Sequence, residues 1–327
     1  MNTLSWGIIG CGDVTEVKSG PAFQQVNGSS LVAVMRRNAS LAADYAKRHK
    51  VPKWYADANA LINDPDINAI YIASPPSSHE EYTLAALKAG KPVYVEKPMT
   101  VNAAAARNMS RVAKEKGVKL AVAHYRREQP LFKKIKQLLE ENAIGDTRFA
   151  RIDCRKKVLT QEELAVPKTA WRVDRQVAGG GLFHDLAPHQ VDLMYYFFGE
   201  VAGASGVGIN QAGAYSADDM VAGTILFRNG VVCSGTWSFA VSKESEADQC
   251  LIIGSEGEIG FSVFSQEPVV LTRNGRREFF HFEPLPHVQQ PMIQAVTDYF
   301  LGKRPDNPCA ADEGVAVLDV LDQFTAR

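Results

Sequence analysis

The sequence predicts an α/β fold: a doubly wound parallel sheet, followed by an α+β region built on a large, mostly antiparallel sheet. Three observations predict it. An apolar run, residues 4–9, opens the chain and feeds into Gly10-Cys11-Gly12-Asp13-Val14-Thr15. Strand-like and helix-like segments then alternate as far as residue 122. After Tyr125, strand-like runs follow one another, several separated by hairpin signals such as Arg228-Asn229-Gly230 and Arg273-Asn274-Gly275.

In the first region, strands are expected at 4–9, 30–36, 67–73, 92–95 and 118–122, with helices near 13–25, 39–49, 79–89 and 102–116. Pro21 argues against one continuous first helix, and Gly90 and Gly117 stand where helices should stop. In the second region a helix is expected over 128–142. Strands follow near 145–158, 201–210, 219–228, 230–241, 247–254, 257–264 and 268–281. Helices near 182–198 and 288–302 are expected to cover one face of that sheet, and a last helix, 312–325, can return to either region. The expected domains are therefore 1–123 and 124–327.

A chain of 327 residues is long enough for two substantial cores. A formal net charge of -1 gives no reason to expect a nucleic-acid partner or an anionic membrane surface. No apolar stretch approaches a membrane span, and the N-terminus lacks the charged and apolar regions of a secretion signal. The five cysteines are scattered, odd in number and without a Cys-x-x-Cys pair. A reducing cytoplasm is expected, with no metal site.

The opening motif suits a nucleotide. Glycine at 10 permits a tight turn, glycine at 12 lets a pyrophosphate approach the backbone, and the following N–H groups can receive its charge. Thr15 stands where a third Gly or Ala is usual, and its hydroxyl can cap the helix or bind phosphate. An ordinary strand-turn-helix is the plain alternative; the position near the N-terminus and the βα pattern behind it favour the nucleotide. This is the fingerprint of a Rossmann domain.

The second strand bears on the choice of dinucleotide. NAD-binding domains usually end it with an acid that holds the ribose hydroxyls. Here residues 31–38 read Leu-Val-Ala-Val-Met-Arg-Arg-Asn, and Arg36 and Arg37 stand at the strand end. Guanidinium groups grip a 2′-phosphate bidentately, so NADP is expected over NAD. Solvated loop charges are the alternative.

Glu96-Lys97-Pro98 follows the apolar run Pro92-Val93-Tyr94-Val95. In a doubly wound sheet, ligands bind at the carboxyl edge of the strands. A lysine there can donate to a substrate oxygen and stabilise a developing oxyanion, with Glu96 to orient it. A surface ion pair before a turn proline is the alternative reading.

Taken with Ser74-Pro75-Pro76-Ser77-Ser78-His79 and Ala89-Gly90-Lys91-Pro92, these motifs resemble the Gfo/Idh/MocA oxidoreductase family. The resemblance extends through residues 179–192, a glycine run leading into a helix with Asp185 and His189. It implies catalytic roles for Lys97, Asp185 and His189, and a dinucleotide site that includes Ser74, Pro75, His79, Glu96 and Lys97 beside Gly10–Thr15. Pro188 is tolerated in a first helical turn, so that helix is expected to start close to Asp185. Four residues apart, Asp185 and His189 share a face, and a carboxylate can orient an imidazole that exchanges protons near neutral pH. A helix cap and a satisfied boundary histidine are the alternatives.

Within the family, Ala170-Trp171-Arg172 resembles the NADP-dependent 1,5-anhydro-D-fructose reductases and related sugar dehydrogenases. That implies cofactor contacts from Trp171 and Arg172, against a packed tryptophan with a solvated arginine. His124-Tyr125-Arg126-Arg127 stands at the junction of the two regions; His124 or Tyr125 is a candidate to line a substrate site. His184 has no assigned role. The expected activity is hydride transfer between NADP(H) and a sugar, polyol or related carbonyl. The rivals are a non-catalytic dinucleotide-dependent sensor and a hydrolase or epimerase with bound cofactor. The resemblance also implies a homodimer or homotetramer formed through the open sheet face. On the strand at 230–241, Val232, Ser234, Thr236 and Ser238 share one face, and Val231, Cys233, Gly235, Trp237 and Phe239 the other.

Overall fold

The computed structural model describes residues 3–326. The chain divides into two compact units, Met1–Glu128 with Leu285–Val315, and Gln129–Pro284 with Ala316–Arg327.

The first unit is built on six parallel strands: β1 (Leu4–Ile9), β2 (Ser29–Met35), β3 (Lys53–Tyr55), β4 (Ala69–Ile72), β5 (Val93–Val95) and β6 (Leu120–Val122). Their order is β3-β2-β1-β4-β5-β6. Every residue of β4, β5 and β6 is buried, as expected of strands covered on both faces. The covering helices are α1 (Asp13–Val17), α2 (Ala39–Arg48), α3 (Ala58–Ile62), α4 (His79–Lys88) and α5 (Ala103–Lys116). Side chains of Asn38, Asp57 and Asn102 accept the first free N–H groups of α2, α3 and α5, and Gly117, at φ 62°, ends α5. Pro21 acts as expected: α1 stops at Val17, and a separate 3-10 turn, Gly20–Gln24, takes the proline in its first turn. The short elements β3 and α3 were too brief to show a period in the sequence.

The second unit opens with α6 (Pro130–Glu140) and β7 (Thr147–Lys157). Three short helices follow, α7 (Gln161–Ala165), α8 (Pro167–Val173) and α9 (Arg175–Ala178), and then α10 (Gly181–Phe198). The remaining strands are β8 (Val201–Ile209), β9 (Met220–Phe227), β10 (Val232–Val241), β11 (Ala247–Gly254), β12 (Gly257–Phe261), β13 (Val269–Arg273) and β14 (Arg276–Phe280). The eight strands run β14-β13-β12-β11-β7-β10-β9-β8, antiparallel except for the pair β7–β10. Asn274 and Gly275, both at positive φ, split the expected run 268–281 into a hairpin.

Two expectations are corrected. α10 begins at Gly181, not near Asp185, and Pro188 lies inside it. Gly179 and Gly181, at φ 88° and 72°, turn the chain into the helix early. An interior proline costs about 3 kcal/mol. Burial of Phe183, Ala187, Val191, Leu193 and Met194 offsets it. The helix expected at 288–302, α11 (Gln290–Phe300), belongs to the first unit rather than covering the second unit's sheet. There Phe300 stacks on Trp6, and the Lys119 ammonium donates to the Tyr299 carbonyl. The last helix, α12 (Ala311–Thr325), starts in the first unit and continues into the second. The first compact unit thus runs to Glu128 and takes in residues 285–315 as well.

Candidate active site

In the first unit the glycine turn sits at the carboxyl end of β1. Gly10 and Cys11 donate backbone N–H bonds of 2.9 and 3.1 Å to the Met35 carbonyl, the last residue of β2. Gly10 has φ 96°, and a Cβ there would lie 2.5 Å from the Ser74 backbone nitrogen. That position therefore requires glycine, and the turn presses directly on the Ser74-Pro75 segment after β4. β1 is where the strand order reverses, since β2 lies on one side and β4 on the other. A Cβ on Gly12 would meet only the Gly10 carbonyl, at 4.0 Å, so the backbone is open there to an approaching phosphate. These residues fit a dinucleotide.

Several expected contacts have internal partners. Thr15 is fully buried and its hydroxyl donates to the Gly12 carbonyl at 2.8 Å, so it caps the turn. Cys11 is fully buried, and burial pushes its thiol up to about 11. His79 is fully buried, with Nδ1 3.1 Å from the Pro98 carbonyl and Nε2 2.7 Å from that of Ser74. It packs between the Ser74 and Lys97-Pro98 segments, and the neutral ring, with one N–H, can donate to one of the two carbonyls. Burial pulls its pKa down to about 4, against the pull of those carbonyls. Asp13 is exposed and Val14 half-buried at the start of α1. Arg36 and Arg37 are exposed, immediately after the residue whose carbonyl holds the turn.

Lys97 is half-buried beyond β5, next to β4 in the sheet. Glu96 before it is buried. Its Oε1 accepts from the Tyr71 hydroxyl and from Gln289 Nε2, each at 2.5 Å, and its Oε2 accepts from the Lys97 backbone N–H at 3.1 Å. His124 and Tyr125 are buried, and burial takes His124 well below the usual histidine range, with Arg127 and Lys97 adding to it.

In the second unit Asp185 and His189 occupy successive turns of α10. Gly180, not Asp185, is the helix cap. Arg172 Nε lies 3.2 Å from Asp185 Oδ2, and the Arg172 guanidinium sits 4.7 Å from the Trp171 ring centroid. Trp171 and Arg172 are both half-buried in α8. His189 is 5 % exposed, and the Phe264 ring meets it edge-on at 5.7 Å. One carboxylate fixes the loop that carries this phenylalanine: Asp248 accepts from the backbone N–H of Val263, Phe264 and Ser265 at 3.2, 2.5 and 2.8 Å. Behind the helix, Trp237 Nε1 donates to Gln190 Oε1 at 2.6 Å. His184 is a packing residue. A Cβ on Gly180 would lie 1.9 Å from its Nδ1, and burial takes its pKa down to about 4.

Gln289, Tyr71, Phe264 and Asp248 were not singled out from the sequence. The residue separations are large, 193 for Gln289 and Glu96, and nothing local marks such pairs. The apolar run holding Tyr71 was visible, but not its hydroxyl's partner.

The sheet face away from the buried Cys233, Trp237 and Phe239 exposes Val207, Leu226 and Val232. A depression of about 440 Å³ beside them is lined by Arg151, Asp153, Arg155, Ser234 and Thr236. All five cysteines are buried and free. Among the described residues, no helix is long and apolar enough to cross a membrane.

Residues 4–124 match the oxidoreductase family with an NAD-binding Rossmann fold, Gfo/Idh/MocA, and residues 132–260 match the Gfo/Idh/MocA C-terminal domain. An oxidoreductase of Formosa agariphila is 46% identical over 321 residues, 98% of each chain. The 1,5-anhydro-D-fructose reductase of Ensifer adhaerens is 30% identical over 279 residues, 84% of this chain and 81% of that one. Among solved structures, the aldose–aldose oxidoreductase of Caulobacter crescentus superimposes with a TM-score of 0.84 at 21% identity, over 98% of this chain and 96% of that one, which is a likeness of fold.

Proposed function

The chain belongs to the Gfo/Idh/MocA family of nicotinamide-dependent oxidoreductases, and we propose that it uses NADP(H) to interconvert a sugar or polyol hydroxyl with a carbonyl. Lys97 polarises the carbonyl oxygen, and His189 with Asp185 moves the proton. The bound nicotinamide supplies or accepts the hydride. The observation that supports the reading is that Lys97, Asp185 and His189, side chains able to handle protons, stand on or directly after ordered, largely buried elements. Lys97 follows a fully buried strand, and Asp185 and His189 stand one turn apart on a buried helix.

In reduction, the Lys97 ammonium donates to the carbonyl oxygen and stabilises its growing negative charge. His189 delivers the proton that completes the alcohol. Asp185 holds the imidazole's charge, and Arg172 holds Asp185. In oxidation the roles reverse. The preference for NADP rests on Arg36 and Arg37, exposed and placed one and two residues past the carbonyl that anchors the glycine turn. Trp171 and Arg172 are proposed to contact the cofactor. Thr15, His79 and Glu96 act on it indirectly, by fixing the backbone around it.

The sugar assignment is supported by the 1,5-anhydro-D-fructose reductase relative. We further propose a homo-oligomer formed through the sheet face carrying Val207, Leu226 and Val232, whose apolar surface suits a second copy. The cytoplasm is the proposed compartment, where free thiols such as these stay reduced. The test is a panel of sugar carbonyls with NADPH and of polyols with NADP, followed by nicotinamide absorbance. Turnover on one member is expected. Stoichiometric cofactor retention with no turnover on any member contradicts the reading.

A further inference from the structure

The Glu96-Lys97 pair is held by a residue from outside its own segment. Glu96 is 6% exposed, and all of the bonds described for its carboxylate come from donors: the Tyr71 hydroxyl, Gln289 Nε2 and the Lys97 backbone N–H. Burial and the nearby Glu96 charge keep the Tyr71 and Tyr94 hydroxyls well above their ordinary range, so both remain donors. Tyr94 donates to Gln289 Oε1 at 3.2 Å. That bond fixes the amide: reversing it would set an oxygen against the Glu96 carboxylate and a donor against a donor.

Gln289 is fully buried and caps α11. Its backbone N–H donates to the Lys18 carbonyl at 3.2 Å, and His287 Nδ1 lies 2.6 Å from that of Val17. The side chain therefore cannot drift from Glu96 without undoing contacts at both ends. Both neutral side chains on the carboxylate have a second partner, Ser19 Oγ at 3.1 Å from the Tyr71 hydroxyl and the Tyr94 hydroxyl on Gln289, but Tyr71 lies on the neighbouring strand β4 and Gln289 comes from α11.

We propose that Gln289 is a positioning residue for Lys97: its amide holds the Glu96 carboxylate in the place where Oε2 receives the Lys97 backbone N–H and so sets the course of the chain that carries the lysine. The inference rests on the reading of Lys97 as the carbonyl-polarising group. Gln289 touches neither substrate nor cofactor in this role; it acts through Glu96.

The test compares Gln289→Leu, which keeps the volume and removes the amide, with Glu96→Gln and the double variant. Two readouts are taken on the full chain. One is the rate at which trinitrobenzenesulfonate modifies Lys97, read by peptide mass spectrometry, which needs no turnover. The other is kcat against KM for NADPH. Losing a donor to a buried carboxylate should change the Lys97 modification rate about threefold or more and lower kcat roughly tenfold, with KM for NADPH within about twofold. In the Glu96→Gln background the same Gln289 substitution should have little further effect, because the two act as one unit. An unchanged Lys97 rate in folded Gln289→Leu overturns the proposal, as does an equal effect in both backgrounds. Should Gln289→Leu not fold, Gln289→Asn, which shortens the reach but keeps the amide, is read by the same criteria. If the wild type turns over no carbonyl while Lys97 reactivity still follows Gln289, the functional reading falls and the positioning link stands.

Discussion

Arg172 and Asp185 form an ion pair, with Nε and Oδ2 3.2 Å apart. Two residues with separate expected roles, one at the cofactor and one in proton transfer, are thus in direct contact. Their side chains are 27% and 21% exposed, so the pair is worth at most about 1 kcal/mol to stability. Its larger effect should fall on activity. Arg172→Ala should lower kcat/KM roughly tenfold or more while leaving the denaturation midpoint nearly unchanged. Parallel urea melts and steady-state kinetics check this; a matching loss of stability would make Arg172 a structural residue.

Lys97→Ala should reduce turnover by roughly a hundredfold or more, the usual range for a lost proton donor. NADPH affinity should stay within a few-fold, because the turn from Gly10 to Thr15 is held by Met35 and Ser74 contacts that do not involve Lys97. Rapid-mixing kinetics beside a binding titration separates the two effects, and unchanged turnover would remove the assignment.

Arg36→Ser and Arg37→Ser should weaken NADPH binding roughly tenfold each, as expected for a lost charged contact to phosphate, and leave NADH binding unchanged. Both side chains are exposed, so neither change should disturb the fold. Equal losses for both cofactors would place the arginines elsewhere than on a 2′-phosphate.

His79 and His184 bear on stability against pH. Burial lowers each from 6.5 to about 4 in the folded chain. Both are neutral when folded and charge more easily when unfolded. Their stabilisation is full above about pH 6.5 and drains away as pH falls towards 4, by roughly 3 kcal/mol each at the limit. Urea midpoints should fall steadily between pH 6.5 and 4, and His79→Gln should flatten part of that slope. A midpoint that rises on acidification would contradict the assignment.

Gly10→Ala should abolish dinucleotide binding and lower stability together, since the added methyl meets the Ser74 backbone at 2.5 Å and φ is 96°. Gly90→Ala, with positive φ but nothing within 4 Å, should cost only the backbone strain. Similar effects from the two would show that the contact with Ser74 is soft.

Much of this was legible in the sequence because it is local. Apolar runs and glycine stops mark most strands and helices of the first unit within a residue or two, but α1 ends at Val17 rather than near 25, and β3 and α3 were not expected. Gly10 and Gly12 announce their turn by spacing alone. The span 182–198 was legible, but Pro188 pointed wrongly to a start near Asp185, because it is a local signal that tertiary burial overrides. The helices between Gln161 and Ala178 are one or two turns each and give no period to read. The placement of α11 was hidden for another reason. Amphipathic spacing says that a helix has a buried face, not which sheet buries it, and the deciding contacts are those of Trp6, Lys119 and Glu96 with residues 289–300.

The most direct measurement is a side-by-side titration with NADPH and NADH followed by nicotinamide fluorescence, with sugar carbonyls, 1,5-anhydrofructose among them, then added to the loaded protein. NADPH binding at least tenfold tighter than NADH, followed by loss of nicotinamide absorbance on one carbonyl, is the expected result. Tight binding with no loss of absorbance on any carbonyl, or no binding of either dinucleotide, would contradict it.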